Sequence, residues 1–185
     1  MKTLNTVQGF HKAGRIISKV VFILCIVGAA LCVAGIVSLA LMPEGFKIGD
    51  VTFAAFVKKE AGVSVNTCYA YLAMGIAFCA GEAVLSKFAE LYFKRELKAG
   101  TPFTFEGAKE LIRLGILSLV IPAAAAAVAA IAHAVISSVL GDVAENNWND
   151  AFSFGMGFMF IFTGFICRHG AELNAERSAE QKTAE

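Results

Sequence analysis

Four stretches of this chain are too long and too apolar to be hidden inside the core that 185 residues can build. Val20 to Met42 carries no charge. Ala61 to Ser86 is interrupted only by Glu82, Leu114 to Gly141 has His133 as its one ionisable residue, and Ala151 to Cys167 has none. A helix needs ~20 apolar residues to cross ~30 Å of hydrocarbon. The runs therefore predict an all-α integral membrane protein, a single domain folded as a four-helix transmembrane bundle with spans at about 20–42, 61–87, 114–141 and 151–167. The last run is near the minimum length. The third exceeds the hydrocarbon thickness and has to tilt, kink or protrude.

With 57% apolar and 17% charged residues, the surface needs lipid as a second solvent. A formal charge of +1 leaves no basic stripe for a nucleic acid, so direct nucleic-acid binding is not expected. A cleaved signal peptide is the main rival for the first run. Basic residues precede it, and Ser38, Leu39 and Ala40 loosely resemble a cleavage site. Its apolar stretch is longer than the ~7 to 15 residues of a signal core, so an uncleaved span is expected.

The 16 lysines and arginines orient the spans. Lys2, Lys12, Arg15 and Lys19 precede the first. Lys87, Lys94, Arg95, Lys98, Lys109 and Arg113 lie between the second and third, and Arg168, Arg177 and Lys182 follow the fourth. Only Lys47, Lys58 and Lys59 fall between the first and second, and none between the third and fourth. Basic loops stay in the cytoplasm, which predicts a multi-pass membrane protein with both termini inside.

Residues 1–19 place Lys2, Asn5, Gln8, Lys12, Arg15 and Lys19 at helical spacing, which suits a cytoplasmic amphipathic segment at anionic headgroups, or simply the charges that set orientation. Between Pro43 and Glu60, alternation around Ile48, Val51, Phe53 and Phe56, with Gly45 and Gly49 as turn residues, permits a short extracellular strand or hairpin. Trp148 is placed to anchor the acidic second outer loop, which carries Asp142, Glu145 and Asp150. Gly100, Thr101 and Pro102 should end one helix, with Thr104 capping the next from near Phe105.

Cys25, Cys32, Cys68, Cys79 and Cys167 form no close pair, and are read as reduced, buried or helix-packing thiols. No cluster has metal-ligand spacing and no catalytic motif occurs, so neither a metal, a cofactor nor an enzyme activity is expected. Two intramembrane groups can ionise. Glu82 is about 7 Å along a helix from Lys87, so it can reach the inner interface or pair with Lys19 or Arg113; handling a proton or cation is the alternative. His133 lies toward the opposite face and cannot form a relay pair with it. Pro122 offers a kink, and the alanines after it, with Gly28, Gly35, Ser153, Gly155, Gly157 and Gly164, offer thin faces for helix packing, a pore lining or a homo-oligomer seam.

The run Gly100, Thr101, Pro102, Phe103, Thr104, Phe105, Glu106, Gly107, Ala108, Lys109, continuing through Leu111 and Arg113 to Gly115, resembles the turn before the third span of an uncharacterised bacterial four-span family, YoaS-like. Arg168, Gly170, Ala171 and Leu173 resemble its exit motif. Gly107, Glu110 and the charged tail after Glu176 depart from the pattern. The resemblance implies a plasma-membrane protein often encoded beside a small helix-turn-helix regulator, and hence sensing or sequestration of that regulator. On this reading the chain is a non-enzymatic membrane scaffold or sensor, with a small transporter or channel using Glu82 as the alternative. Its inner face mixes the cations of the Lys94 to Arg113 turn with Glu96, Glu106, Glu110, Glu172 and Glu176, which suits a protein surface better than a polyanion.

Overall fold

A computed structural model describes residues 2–41, 47–48, 51–52, 64–100, 104–141, 143–144 and 154–183. The architecture is all-α. Four helices account for nearly all described residues: α1 (Lys2–Leu41), α2 (Val65–Ala99), α3 (Phe105–Leu140) and α4 (Phe154–Thr183). Strands β1 (Lys47–Ile48) and β2 (Val51–Thr52) pair antiparallel, Lys47 opposite Thr52 and Ile48 opposite Val51, so the short hairpin read from the alternation is present. Phe53, Phe56 and Trp148 lie outside the described residues.

Three of these helices are long and apolar enough to cross a membrane: α1 from Gln8, α2 and α3. α4 is apolar only to Cys167, where Arg168 and His169 follow at once, so its described apolar stretch is shorter than the ~20 residues of a full span. α2 changes character at Lys87. Beyond it come Glu90, Lys94, Arg95, Glu96 and Lys98, which places the membrane-length part of the helix before Lys87. α1 is unbroken from Lys2 to Leu41, so the polar stripe and the first apolar run share one helix.

The chain divides into two compact units. The first comprises Met1–Phe22, Val84–Ile121 and Ser153–Glu185; the second comprises Ile23–Ala83 and Pro122–Phe152. In the first, Tyr92, Ala108, Leu111, Leu114 and Cys167 form a buried cluster, with Leu85, Ala89, Phe93 and Phe160 packed against it. α3 and α4 meet there through glycines. A Cβ on Gly115 would lie 2.8 Å from the Ile161 backbone nitrogen, and one on Gly157 would lie 2.6 Å from Leu119. Such distances mean near backbone contact, which only the small residue allows. In the same unit the Phe93 ring fills the space above Gly14 of α1.

In the second unit α1 packs on α2 through a thiol and glycine seam. Cys79 Sγ sits over Gly28, Cys32 Sγ over Gly75, and Leu72 over Gly35, so the numbering rises on α1 as it falls on α2. All five cysteines are free thiols, and two of them are the packing thiols expected. Ala125 and Ala129 of α3 are buried, whereas the most apolar part of α1 has none of its residues buried within the protein. Pro122 lies inside α3, which continues through it as helix, and the division between the units falls at that residue.

Candidate functional site

The turn from α2 to α3 is built from local capping chemistry. Gly100 adopts φ 74°, and its N–H donates to the Glu96 carbonyl at 3.1 Å, a left-handed stop that a side chain would strain. Four residues on, Thr104 Oγ1 accepts the Gly107 N–H at 3.0 Å, and its carbonyl accepts the Ala108 N–H, which starts α3 at Phe105. Glu106, exposed in the first turn, complements the positive end of the helix. Pro102 and Phe103 lie outside the described residues.

This turn brings Glu96 and Gly107 together. A Cβ on Gly107 would collide with the Glu96 carboxylate and would lie 2.8 Å from Thr104 Oγ1. Glu96 is 3% exposed, and its Oε2 has no hydrogen-bond partner among the described residues. The mixed-charge surface expected from the sequence therefore loses this member: Glu96 is inside, beside Tyr92 and Cys167. Burial pushes its carboxyl above the usual range. Tyr92 is pushed up in turn, by burial first and then by the charges of Glu96 and Cys167.

Around this carboxyl the cations divide into engaged and free. Arg95 donates to Glu110 at 2.6 Å, and the Arg113 guanidinium lies 5.7 Å from the centre of the Phe88 ring. Lys94, Lys98 and Lys109 are exposed and join no ion pair among the described residues. The end of α2 and the start of α3 flank a groove of about 1080 Å³, lined by Lys98, Lys109 and Arg113 and by Glu96, and running onto Ile112 and Ile116.

Ala171 is the last buried residue of α4 among the described residues. Just before it, Arg168 Nε donates to Glu172 at 3.2 Å, and His169 Nδ1 lies 3.9 Å from the same carboxylate; Gly170 is half-buried. From Leu173 to Gln181 every residue is exposed. On α1, His11 packs against Tyr92 and Phe93 with ring centres 6.5 and 6.0 Å away, and burial pushes its pKa down, which favours the neutral ring.

The intramembrane candidates belong to the second unit. Glu82 is exposed on α2 and joins no ion pair among the described residues. His133 is half-buried, its Nε2 3.1 Å from the Ala144 carbonyl, a satisfied histidine. Two neighbours that sequence reasoning missed complete that corner. Asn66 Nδ2 donates to the carbonyls of Leu140 and Gly141 at 3.1 and 3.2 Å, closing the end of α3, and the buried Thr67 Oγ1 accepts the Ala144 N–H at 3.0 Å. Their polarity at the head of an apolar run was the available signal. Among the described residues no group of histidine, cysteine and acidic side chains could hold a metal.

Fold and site together define a helical protein with three membrane-length helices and a charged, capped turn whose one buried acid sits beside exposed lysines. No family model, curated protein or solved structure matches the chain.

Proposed function

We propose that this chain is a non-enzymatic multi-pass protein of a bacterial plasma membrane, spanning four times with both termini inside, which docks a cytoplasmic protein on its inner face. The basic-residue asymmetry supports the orientation. The observation that carries the docking is the free end of α4. Glu172, Glu176 and Glu180 recur at i,i+4 on a helix exposed from Leu173 to Gln181. Like charges at that spacing weaken a helix by ~0.2–0.5 kcal/mol per pair; Arg168 offsets the charge of Glu172, but no ion pair among the described residues offsets Glu176 or Glu180, so helix stability does not account for those two. A basic protein surface would remove the repulsion. A small helix-turn-helix regulator, as the YoaS-like resemblance implies, presents such a surface, and its sequestration at the membrane is the function this reading assigns.

The test is a pull-down from detergent-solubilised membranes with three forms of the protein: wild type; Glu172→Gln with Glu176→Gln and Glu180→Gln; and a form with Lys94, Arg95, Lys98, Lys109 and Arg113 neutralised while the N-terminal charges preserve topology. Wild type should recover a basic cytoplasmic protein that the glutamine form loses. Recovery of nothing by wild type, or of the same protein by wild type and the glutamine form, overturns the docking surface. A second reading, proton or cation transport through a small oligomer, is favoured by one observation, the exposed Glu82 on a membrane-length helix, which joins no ion pair among the described residues.

A further inference from the structure

The groove between the end of α2 and the start of α3 combines three chemical demands that no group among the described residues meets. Lys98 and Lys109 are exposed cations with no carboxylate partner among the described residues. Glu96, 3% exposed, lines the groove and has Oε2 without a hydrogen-bond donor. Ile116 lines the apolar end at 49% exposure, and Val120, 55% exposed, continues the same helix toward its membrane-length run. The cations call for an anion, the carboxyl for a donor, and the isoleucine and valine for hydrocarbon.

We propose that this groove is a binding site for an anionic phospholipid whose headgroup carries a hydroxyl donor, with its phosphate at Lys98 and Lys109, its hydroxyl toward Glu96 and an acyl chain along Ile116 and Val120. The spacing fits. Lys109 and Ile116 are seven residues apart, about 10 Å along the helix, which is the drop from a phosphate to the upper acyl chain. The groove's volume of about 1080 Å³ lies just above the ~300–1,000 Å³ typical of small-molecule sites. α3 passes there from charged first turns to an unbroken apolar run from Leu114, so this is where a membrane-length helix crosses the headgroup layer and where lipid is the neighbouring molecule. Basic pockets between helices at that depth select anionic headgroups. The carboxyl adds a second criterion, because a headgroup with phosphate but no donor leaves Glu96 unsatisfied.

Native mass spectrometry of the purified full chain in detergent tests this, with phosphatidylglycerol, phosphatidylmethanol and phosphatidylcholine added in turn. Phosphatidylmethanol has the same charge as phosphatidylglycerol but no hydroxyl. Wild type should retain phosphatidylglycerol at least fivefold over phosphatidylcholine and severalfold over phosphatidylmethanol. Lys98→Gln with Lys109→Gln changes only exposed side chains, so the fold survives, and it should abolish the preference over phosphatidylcholine. Glu96→Leu should abolish only the preference over phosphatidylmethanol. Equal retention of phosphatidylglycerol and phosphatidylcholine by wild type, or no loss in the double lysine variant, overturns the site. Displacement of bound phosphatidylglycerol from wild type by an amphipathic acidic peptide, but not by excess phosphatidylglycerol, overturns it in favour of a protein ligand.

Discussion

The carboxylate of Glu96 occupies the space that a side chain on Gly107 would need. A buried acid on α2 and a missing Cβ on α3 are thus one structural feature, and each constrains the other. Gly107→Ala should gain a little helix propensity, ~1 kcal/mol, and lose more by overpacking, ~1–3 kcal/mol, for a net loss. Adding Glu96→Ala should return most of the loss. Unfolding of the two variants in detergent, followed by circular dichroism, measures both; additive losses would show that the two residues do not share the space.

The same burial sets a pH dependence. The Glu96 carboxyl is raised in the folded protein above its ordinary value of 4.5, so the folded state holds this proton more tightly than the unfolded chain. Its favourable contribution is complete below about pH 4.5 and is lost as pH rises through the folded value. Wild type should therefore weaken relative to Glu96→Gln as pH rises above that point, by at most ~1.4 kcal/mol per pH unit, and the gap should level off above the folded value. A gap that does not change with pH would mean the carboxyl is solvated in the native state.

Glycines at helix crossings should not be equally sensitive. Gly115→Ala would place a Cβ 2.8 Å from the backbone of Ile161, which has no rotamer to give, whereas Gly28→Ala meets only the Cys79 sulfur at 3.2 Å. We expect Gly115→Ala to cost about 2 kcal/mol or more and Gly28→Ala under 1 kcal/mol. Thermal unfolding of the two in the same detergent decides; similar midpoints would place the α3 and α4 backbones farther apart than described.

Orientation is tested by labelling. In a cysteine-free background, single cysteines near Gly49 and Asn147 should react with an impermeant maleimide in intact cells, and cysteines near Thr101 and Ser178 should react only after permeabilisation. Outside labelling at Thr101 would reverse the proposed topology.

Glu82 separates docking from transport. If its role is structural, Glu82→Gln should accumulate in the membrane at the wild-type level and leave regulator capture unchanged. A proton-linked flux in proteoliposomes that disappears with this substitution would instead make transport the leading function.

The turn was legible in the sequence because capping is local: a glycine that stops one helix and a threonine that starts the next act within four residues, so Gly100 and Thr104 fall where expected. The hairpin was legible for the same reason. Partner choice was not. Gly28 and Gly157 advertised close packing, but Cys79 and Leu119 opposite them come from other helices, and no local pattern encodes that register. The burial of Glu96 is the sharpest case. On its own helix it reads as one of a run of charges, and only the hole above Gly107, on the next helix, takes it inside. Asn66 likewise caps a helix end more than seventy residues away.

None of the most apolar part of α1 is buried within the protein, and each of its described touch points on α2 sets a glycine of one helix against a single side chain of the other: Cys79 over Gly28, Cys32 over Gly75 and Leu72 over Gly35. Between helices already in lipid, hydrophobic burial adds little, since acyl tails are as apolar as leucine, and association rests on close van der Waals fit. α1 is then stable once inserted, before it meets α2, and its docking is a separate and weaker second stage. Short-chain detergents that compete for that thin seam should release α1 from its neighbours while it stays fully helical, a loosening that far-ultraviolet ellipticity would miss and the reactivity of Cys32 and Cys79 would report.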